Sequence, residues 1–309
     1  MTRATQQGLT VGFIGLGMMG SGLATHAQRA GHAVRLLVRH EGDRERCQAL
    51  IDQGALCGNT IADVASGADV VVLCVTGSPQ VEEIVFGEQG LLGRGRLKAG
   101  AIVVDCSTSL PESSHRIAQA MAAIGCHFID AAMTGTPKEA AEGRVNLLVG
   151  GETAVIDLAR SVLESFSGNI YHCGPTGAGH TIKLLHQFVV LSNAAVLSEA
   201  FSCATKAGVD MHTLCQVIGS GGANSTAFQR LQAFVLEGRD ELFRFTLGNA
   251  LKDMDYYTRM TGNLRAVAPI AGTVLSSYTM ANNLGDGSAF VPRLLHCIDQ
   301  LNDVASRPS

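Results

Sequence analysis

The chain has 309 residues, 46% of them hydrophobic and 16% charged, with 36 glycines, seven prolines and a formal net charge of -4. That length suits one large or two ordinary domains, each able to bury its own core, and the slightly acidic balance offers no basic field for nucleic acid. The nine cysteines are odd in number and never in CxxC spacing, so neither a disulfide framework nor a metal site is expected, and they read as buried thiols of a reducing cytoplasm.

The opening residues, MTRATQQG, lack an apolar leader, and a charge or glycine breaks every later apolar run before it reaches membrane-spanning length. A soluble, cytoplasmic protein without a membrane partner is the expectation. Up to about residue 172, short runs rich in Val and Ile alternate with amphipathic stretches: TVGFIGLG, AVRLLVRH, ADVVVLCV, AIVVDCS, HFIDAAM and VNLLVGG. Such alternation predicts an α/β fold with a mostly parallel, doubly wound sheet.

The first strand runs into GLGMMG, residues Gly15, Leu16, Gly17, Met18, Met19 and Gly20, in GxGxxG spacing at the start of a helix. The first glycine makes a tight turn, the second lets a pyrophosphate approach the backbone, and the third lets helix and strand pack closely. The phosphates would sit on the helix N-terminus, where free N–H groups and the dipole favour anions. The second strand ends in Arg39 and His40, where an Asp or Glu would hold the ribose 2′-hydroxyl of NAD. A guanidinium there pairs with a 2′-phosphate, which favours NADP over NAD. The plainer reading is a solvated arginine partnered by Glu41 or Asp43.

Past Gly179 the pattern changes to long helical periods with no β-rich run. HTIKLLHQFVVLSNAAVLSEAFSCATKAG predicts one helix of over twenty residues that starts near Gly177, ends at Gly208 and, being apolar on most sides, is buried. Residues 1–172 are therefore expected to form a dinucleotide-binding domain. Residues 173–309 are expected to form an all-helical substrate and dimerisation domain. Three glycines precede a lone lysine in GPTGAGHTIKLLHQF, which would start the helix close under a cofactor and turn Lys183 toward it. Gln187, four residues on, shares the face of Lys183 and could bond it or a substrate hydroxyl. His186 reads more simply as a packing histidine, and Asp253 with Asp255 as a solvated helix face.

These segments together resemble the β-hydroxyacid dehydrogenases, the family of 3-hydroxyisobutyrate dehydrogenase, tartronate semialdehyde reductase and glyoxylate/succinic semialdehyde reductase. GFIGLGMMGSGLA is similar to the family's opening fingerprint, DCSTSLPESS to its D-x-S-T segment, DAAMTGTPKEAAEGRVNLLVGG to its substrate loop, and GPTGAGHTIKLLHQF to the segment bearing its catalytic lysine. FTLGNALKDMDY and DGSA match the spacing of two later segments. The resemblance implies a Rossmann-type domain followed by an all-α one, NADP or NAD as cofactor, Lys183 as general acid and base, and a homodimer or homotetramer. It places Val75, Thr76, Ser107 and Thr108 beside the cofactor, the last two also beside the substrate, and Phe245 and Lys252 closing over it. Thr134, Gly135 and Thr136 would hold the carboxylate of a small hydroxyacid or semialdehyde. The chain departs from the family where substrate is read: its Ser-Gly-Gly is Thr134-Gly135-Thr136, and its asparagine after the lysine is Gln187. Two other functions stay open, an imine reductase, which commonly lacks the lysine, and an NADP-binding regulator without turnover.

Overall fold

The structure is a computed structural model that describes residues 8–304. The expectation of no leader concerns residues 1–7, which lie outside the described residues. The chain divides into two compact units, Met1–Lys183 and Leu184–Ser309.

The first unit runs β1 (Thr10–Ile14), α1 (Met18–Arg29), β2 (Ala33–Leu37), α2 (Glu41–Asp52), β3 (Leu56–Gly58), α3 (Ile61–Ala65), β4 (Val70–Leu73), α4 (Ser78–Phe86) and β5 (Ile102–Asp105). It continues through α5 (Pro111–Ala123), β6 (His127–Thr134), α6 (Pro137–Ala141), β7 (Val145–Gly150), α7 (Thr153–Ser165) and β8 (Ser167–Gly174). The strands form one sheet in the order β3-β2-β1-β4-β5-β6-β7-β8. Every pairing is parallel except that of β6 with β7. The doubly wound, mostly parallel sheet expected from the sequence is thus present.

Alternation along each strand decides which layer its side chains join. Val70 and Val72 of β4 pack with Val11, Phe13 and Val104 against α1, α2 and α7. Val71 and Leu73 pack with Ile14 and Val103 against α3, α4 and α5. Each fully buried Val or Leu stabilises the fold by roughly 1.5–3 kcal/mol, so both faces of the sheet are apolar and both must be covered. Two strands were not foreseen. β3 is three residues long with Leu56 and Cys57 exposed, and β8, SGNIYHCG, is a polar edge strand.

A single helix, α8 (Ala178–Lys206), leaves β8, and Gly208 follows it at φ +70°. The second unit adds α9 (Met211–Ser220), α10 (Thr226–Glu237), α11 (Leu247–Asn263), α12 (Pro269–Ala281) and α13 (Leu294–Leu301). Asp210, Ser225 and Thr246 cap α9, α10 and α11 through side-chain oxygens, and the Tyr278 hydroxyl donates to the Leu191 carbonyl at 2.9 Å.

The expectation that α8 is buried needs correction. Leu184, Leu191, Ala194 and Phe201 are buried, but Ile182, Leu185, Val189 and Val196 are exposed. They follow helical spacing, so one apolar stripe of α8 faces outward in the single chain. α8 is also the one described helix whose length and composition reach what a membrane crossing needs, although Lys183 and Glu199 interrupt it. Nor are all thiols buried, since Cys57 and Cys203 are exposed.

Candidate functional site

Strand register aligns Ile14, Leu73, Asp105, Asp130, Gly150 and Gly174 in one row across β1, β4, β5, β6, β7 and β8. The glycine-rich turn, the Val75 and Ser107 segments and the lysine-bearing segment leave the sheet just beyond this row, and the Thr134 loop follows at the end of β6, whereas FTLGNALKDMDY and DGSA lie in the second unit. In an open parallel sheet, ligands bind outside the carboxyl ends where the strand order reverses, here between β1 and β4.

At that point Gly15 has φ +97°, and a Cβ on Gly20 would strike the Gly15 carbonyl oxygen. A Cβ on Gly17 would meet nothing within 4 Å, so the space beside it belongs to no part of the protein. Gly17 caps α1 without a side-chain bond, and the first turn carries no acidic residue. The amides of Met18, Met19 and Gly20 therefore sit at a positive helix end with no carboxylate cap, which fits a pyrophosphate. Beside it a cleft of about 480 Å³ is lined by Gly15, Leu16, Arg39, His40, Asp43 and Val75, among others. Asp43 accepts from the backbone N–H of Arg39 at 3.2 Å and faces Arg46 at 3.5 Å. The guanidinium of Arg39 makes no ion pair with Glu41 or Asp43 among the described residues, and Arg39 is exposed, as a solvated arginine at a strand end would be. Thr76, one residue past Val75, is exposed.

Ser107, after β5, has three of its polar atoms engaged. Its N–H donates to Asp105 Oδ1 at 2.9 Å, its Oγ accepts from the Val75 N–H at 3.0 Å, and its carbonyl faces His180 Nε2 at 3.2 Å. Because Oγ is an acceptor there, the hydroxyl proton of Ser107 is left to donate elsewhere. Thr108 beside it is half-buried. Burial pushes the neighbouring Cys106 thiol well above its ordinary range, which leaves no thiolate nucleophile at this edge.

The N-terminus of α8 is closed from inside. Asp130, fully buried, accepts from the Gly177 N–H at 2.6 Å through Oδ1 and from the His180 N–H at 3.0 Å through Oδ2. Gly177 has φ +89°, and a Cβ on Gly179 would strike the Leu148 carbonyl oxygen and lie 2.8 Å from Asp130 Oδ2. The glycines ahead of the lysine thus bring the helix start against β6 and β7. Lys183 follows on the next turn, 9% exposed. Asp105, Asp130, Ser114 and His180 escaped the sequence reading. The signal was there: a carboxylate ending or interrupting a buried apolar strand must have partners.

The loop after β6 is held by its own side chains. Thr134 Oγ1 accepts from Asn146 Nδ2 at 3.1 Å, and Gly135 has φ +119°. Thr136 caps α6: its N–H donates to Glu139 Oε2 at 2.7 Å, and its hydroxyl donates to the same oxygen at 2.5 Å. These two bonds hold the Glu139 carboxyl below the usual carboxylate range. The extra side chain of Thr136 is therefore used to cap a helix.

In the second unit, Gln187 Nε2 donates to Asp253 Oδ2 at 2.7 Å, and Lys252 Nζ lies 2.6 Å from Asp253 Oδ1. Asp253 is 1% exposed, which corrects its reading as part of a solvated face. Asp255, paired with Arg259 at 3.7 Å, fits that reading. Lys252 also lies 4.9 Å from the ring centre of Tyr256. The Phe245 carbonyl accepts from the Val291 N–H at 2.8 Å. His186 is exposed, with Nδ1 3.3 Å from Gln187 Oε1.

Residues 10–174 match the model of the NAD binding domain of 6-phosphogluconate dehydrogenase, and residues 177–294 match that of the NAD-binding part of NADP-dependent 3-hydroxyisobutyrate dehydrogenase. The chain is 34% identical over 217 residues to 2-hydroxy-3-oxopropionate reductase of Escherichia coli K12, covering 70% of this chain and 72% of the relative. It is 29% identical to L-threonate dehydrogenase of the same strain over 90% of both chains. A solved 3-hydroxyisobutyrate dehydrogenase from Salmonella typhimurium superposes with a TM-score of 0.81 at 28% identity, covering 93% of this chain and 99% of the other.

Proposed function

The chain belongs to the β-hydroxyacid dehydrogenase family, and on that premise we propose that Lys183 is the proton carrier of its active site. The protein is an NAD(P)-dependent oxidoreductase acting on CH–OH groups. NADP, with NAD as the second choice, is held by the amides of Gly15 to Gly20, with Arg39 and His40 toward the 2′-phosphate and Val75 and Thr76 along its flank. When bound, the cofactor supplies or accepts the hydride, and the remaining work falls to side chains of this chain.

Reduction of a carbonyl builds negative charge on its oxygen, and Lys183 gives that oxygen a proton; in oxidation it takes the proton back. Ser107 donates its unused hydroxyl proton toward the reacting end, with Thr108 beside it. The backbone N–H of Gly135, between Thr134 and Thr136, binds the carboxylate of a small β-hydroxyacid or semialdehyde. Gln187, held by Asp253 and one turn along α8 from Lys183, orients the lysine or the substrate hydroxyl, and the cofactor role of Phe245 and Lys252 rests on the family resemblance alone.

One observation carries the reading: Lys183 is buried one turn into a helix whose first turn is tied to the Ser107 loop. A lysine that only packs its stem against a surface needs no such anchor. The proposal includes a soluble cytoplasmic protein and a homodimer or homotetramer that covers the outward stripe of α8; the division expected at residues 172 and 173 falls inside β8, whereas the compact units divide after Lys183. Purified protein is tested with NADPH and NADH against short semialdehydes, and in oxidation against L-threonate and 3-hydroxyisobutyrate. Turnover that Lys183→Ala abolishes without loss of cofactor binding supports the reading. An inert wild type, or an active Lys183→Ala, overturns it.

A further inference from the structure

Resting on that reading, we propose that His180 is a positioning residue for the reaction, locking the Ser107 loop to the helix that carries Lys183. Its side chain is fully buried and engaged at both ring nitrogens. Nε2 lies 3.2 Å from the Ser107 carbonyl oxygen and 3.7 Å from Asp105 Oδ2, and Nδ1 lies 2.7 Å from Ser114 Oγ. A carbonyl oxygen can only accept, so Nε2 carries a hydrogen, and in the neutral ring Nδ1 accepts the Ser114 hydroxyl proton. The backbone N–H of the same residue is bound by Asp130 at 3.0 Å.

One residue is thus fastened to β6, to the loop after β5 and to α5. Ser107 is in turn fixed by Asp105 and Val75. Any rotation or slide of the first turn of α8 must break a buried bond at His180 or drag the Ser107 carbonyl with it, and leaving such a group unpaired is costly. Lys183 lies three residues on, about 4.5 Å along the helix axis. Two groups that serve the reacting centre from different elements therefore share one rigid reference. Misplacement of catalytic groups by about 1 Å costs on the order of 10²-fold in rate, which is the scale that this arrangement protects.

The alternative role, a histidine that only fills and stabilises the core, makes different forecasts. His180→Gln keeps an N–H able to reach the Ser107 carbonyl, whereas His180→Leu keeps volume and loses both bonds. Both variants and Lys183→Ala are measured for melting temperature, NADPH affinity by fluorescence, and kcat and KM with whichever of L-threonate or 3-hydroxyisobutyrate wild type oxidises. The primary isotope effect is taken with substrate deuterated at the hydroxyl-bearing carbon. The proposal expects His180→Leu to lower kcat by about 10–100-fold, with a larger isotope effect and cofactor affinity within about threefold of wild type. It expects His180→Gln to recover most of that loss. A folded His180→Leu with wild-type kcat and isotope effect overturns it. So does a loss that His180→Gln shares in full and that follows melting temperature alone. An active Lys183→Ala defeats the assignment of the lysine and this proposal with it. An inactive Lys183→Ala beside an unimpaired His180→Leu defeats the coupling alone.

Discussion

Two glycine-rich turns in this chain start helices, and they treat the helix N-terminus in opposite ways. At α1, Gly17 caps the helix without a side-chain bond, no acid stands in the first turn, and the space where a Cβ would point is empty. At α8, Asp130 occupies the N-terminus and a Cβ on Gly179 would collide with the chain. The same physics, free amides and a positive dipole end, serves an outside anion in one case and an internal carboxylate in the other. Glycines before a helix therefore do not announce a ligand. What decides is whether the protein itself already supplies the negative charge.

The contrast breaks most visibly at Lys183. If the closed turn exists to hold this lysine, Lys183→Ala lowers kcat by about 10²–10⁴-fold with cofactor affinity nearly intact. Lys183→Arg does not rescue it, because arginine keeps the charge and holds its proton. Next in size is the closure itself. Asp130→Ala strands two buried N–H groups and should cost about 2–3 kcal/mol in denaturant unfolding, with Asp130→Asn costing less because one acceptor remains.

The glycines sharpen the comparison directly. Gly179→Ala should lower the melting temperature by overpacking against Leu148, worth about 1–3 kcal/mol. Gly17→Ala should leave melting unchanged while weakening NADP binding by about tenfold, or about 1.4 kcal/mol. Should both variants act on stability alone, the open turn is a packing device like the closed one. Arg39→Ala should also weaken NADP by about tenfold while hardly touching NAD, and equal wild-type affinity for the two cofactors removes the role given to Arg39.

The smallest effect lies at Thr136. Replacing an N-cap Thr by Gly costs only a few tenths of a kcal/mol, and any widening of substrate range is read from the same panel of acids. Glu139 is held below its ordinary range in the fold by Thr136, so this contribution is present above the unfolded carboxylate value of about 4.3 and fades as pH falls through the lower folded value. Melting curves of wild type and Thr136→Gly should therefore converge in acid.

The strands that carry the site were legible because their apolar runs are local and continuous, and GLGMMG because each glycine answers a local steric demand. The anchoring of α8 was not. His180 meets Ser107 across 73 residues and Asp130 across 50, separations that no periodicity encodes. Asp253 was misread for a related reason: which face of α11 is covered depends on Gln187, 66 residues earlier. The outward stripe of α8 escaped because a helix apolar all round does not say which of its sides this chain alone will cover.

The reversal of strand direction at β7 has a consequence for change over time. β6 and β7 are paired from Asp130 with Gly150 to Thr134 with Asn146, so the loop beyond Thr134 closes a hairpin and does not thread a crossover. Doubling the length of such a loop costs only about 0.6 kcal/mol in closure entropy. Its tip can be swapped like a cassette while the cofactor half is inherited intact. It is tied to α1 at Gly22, where a Cβ would lie 2.7 Å from the Ala140 carbonyl oxygen, and at His26, whose Nε2 lies 2.9 Å from the Ala141 carbonyl oxygen; exchanges that keep α6 in place leave those fits undisturbed, and those that move it must change both sides together.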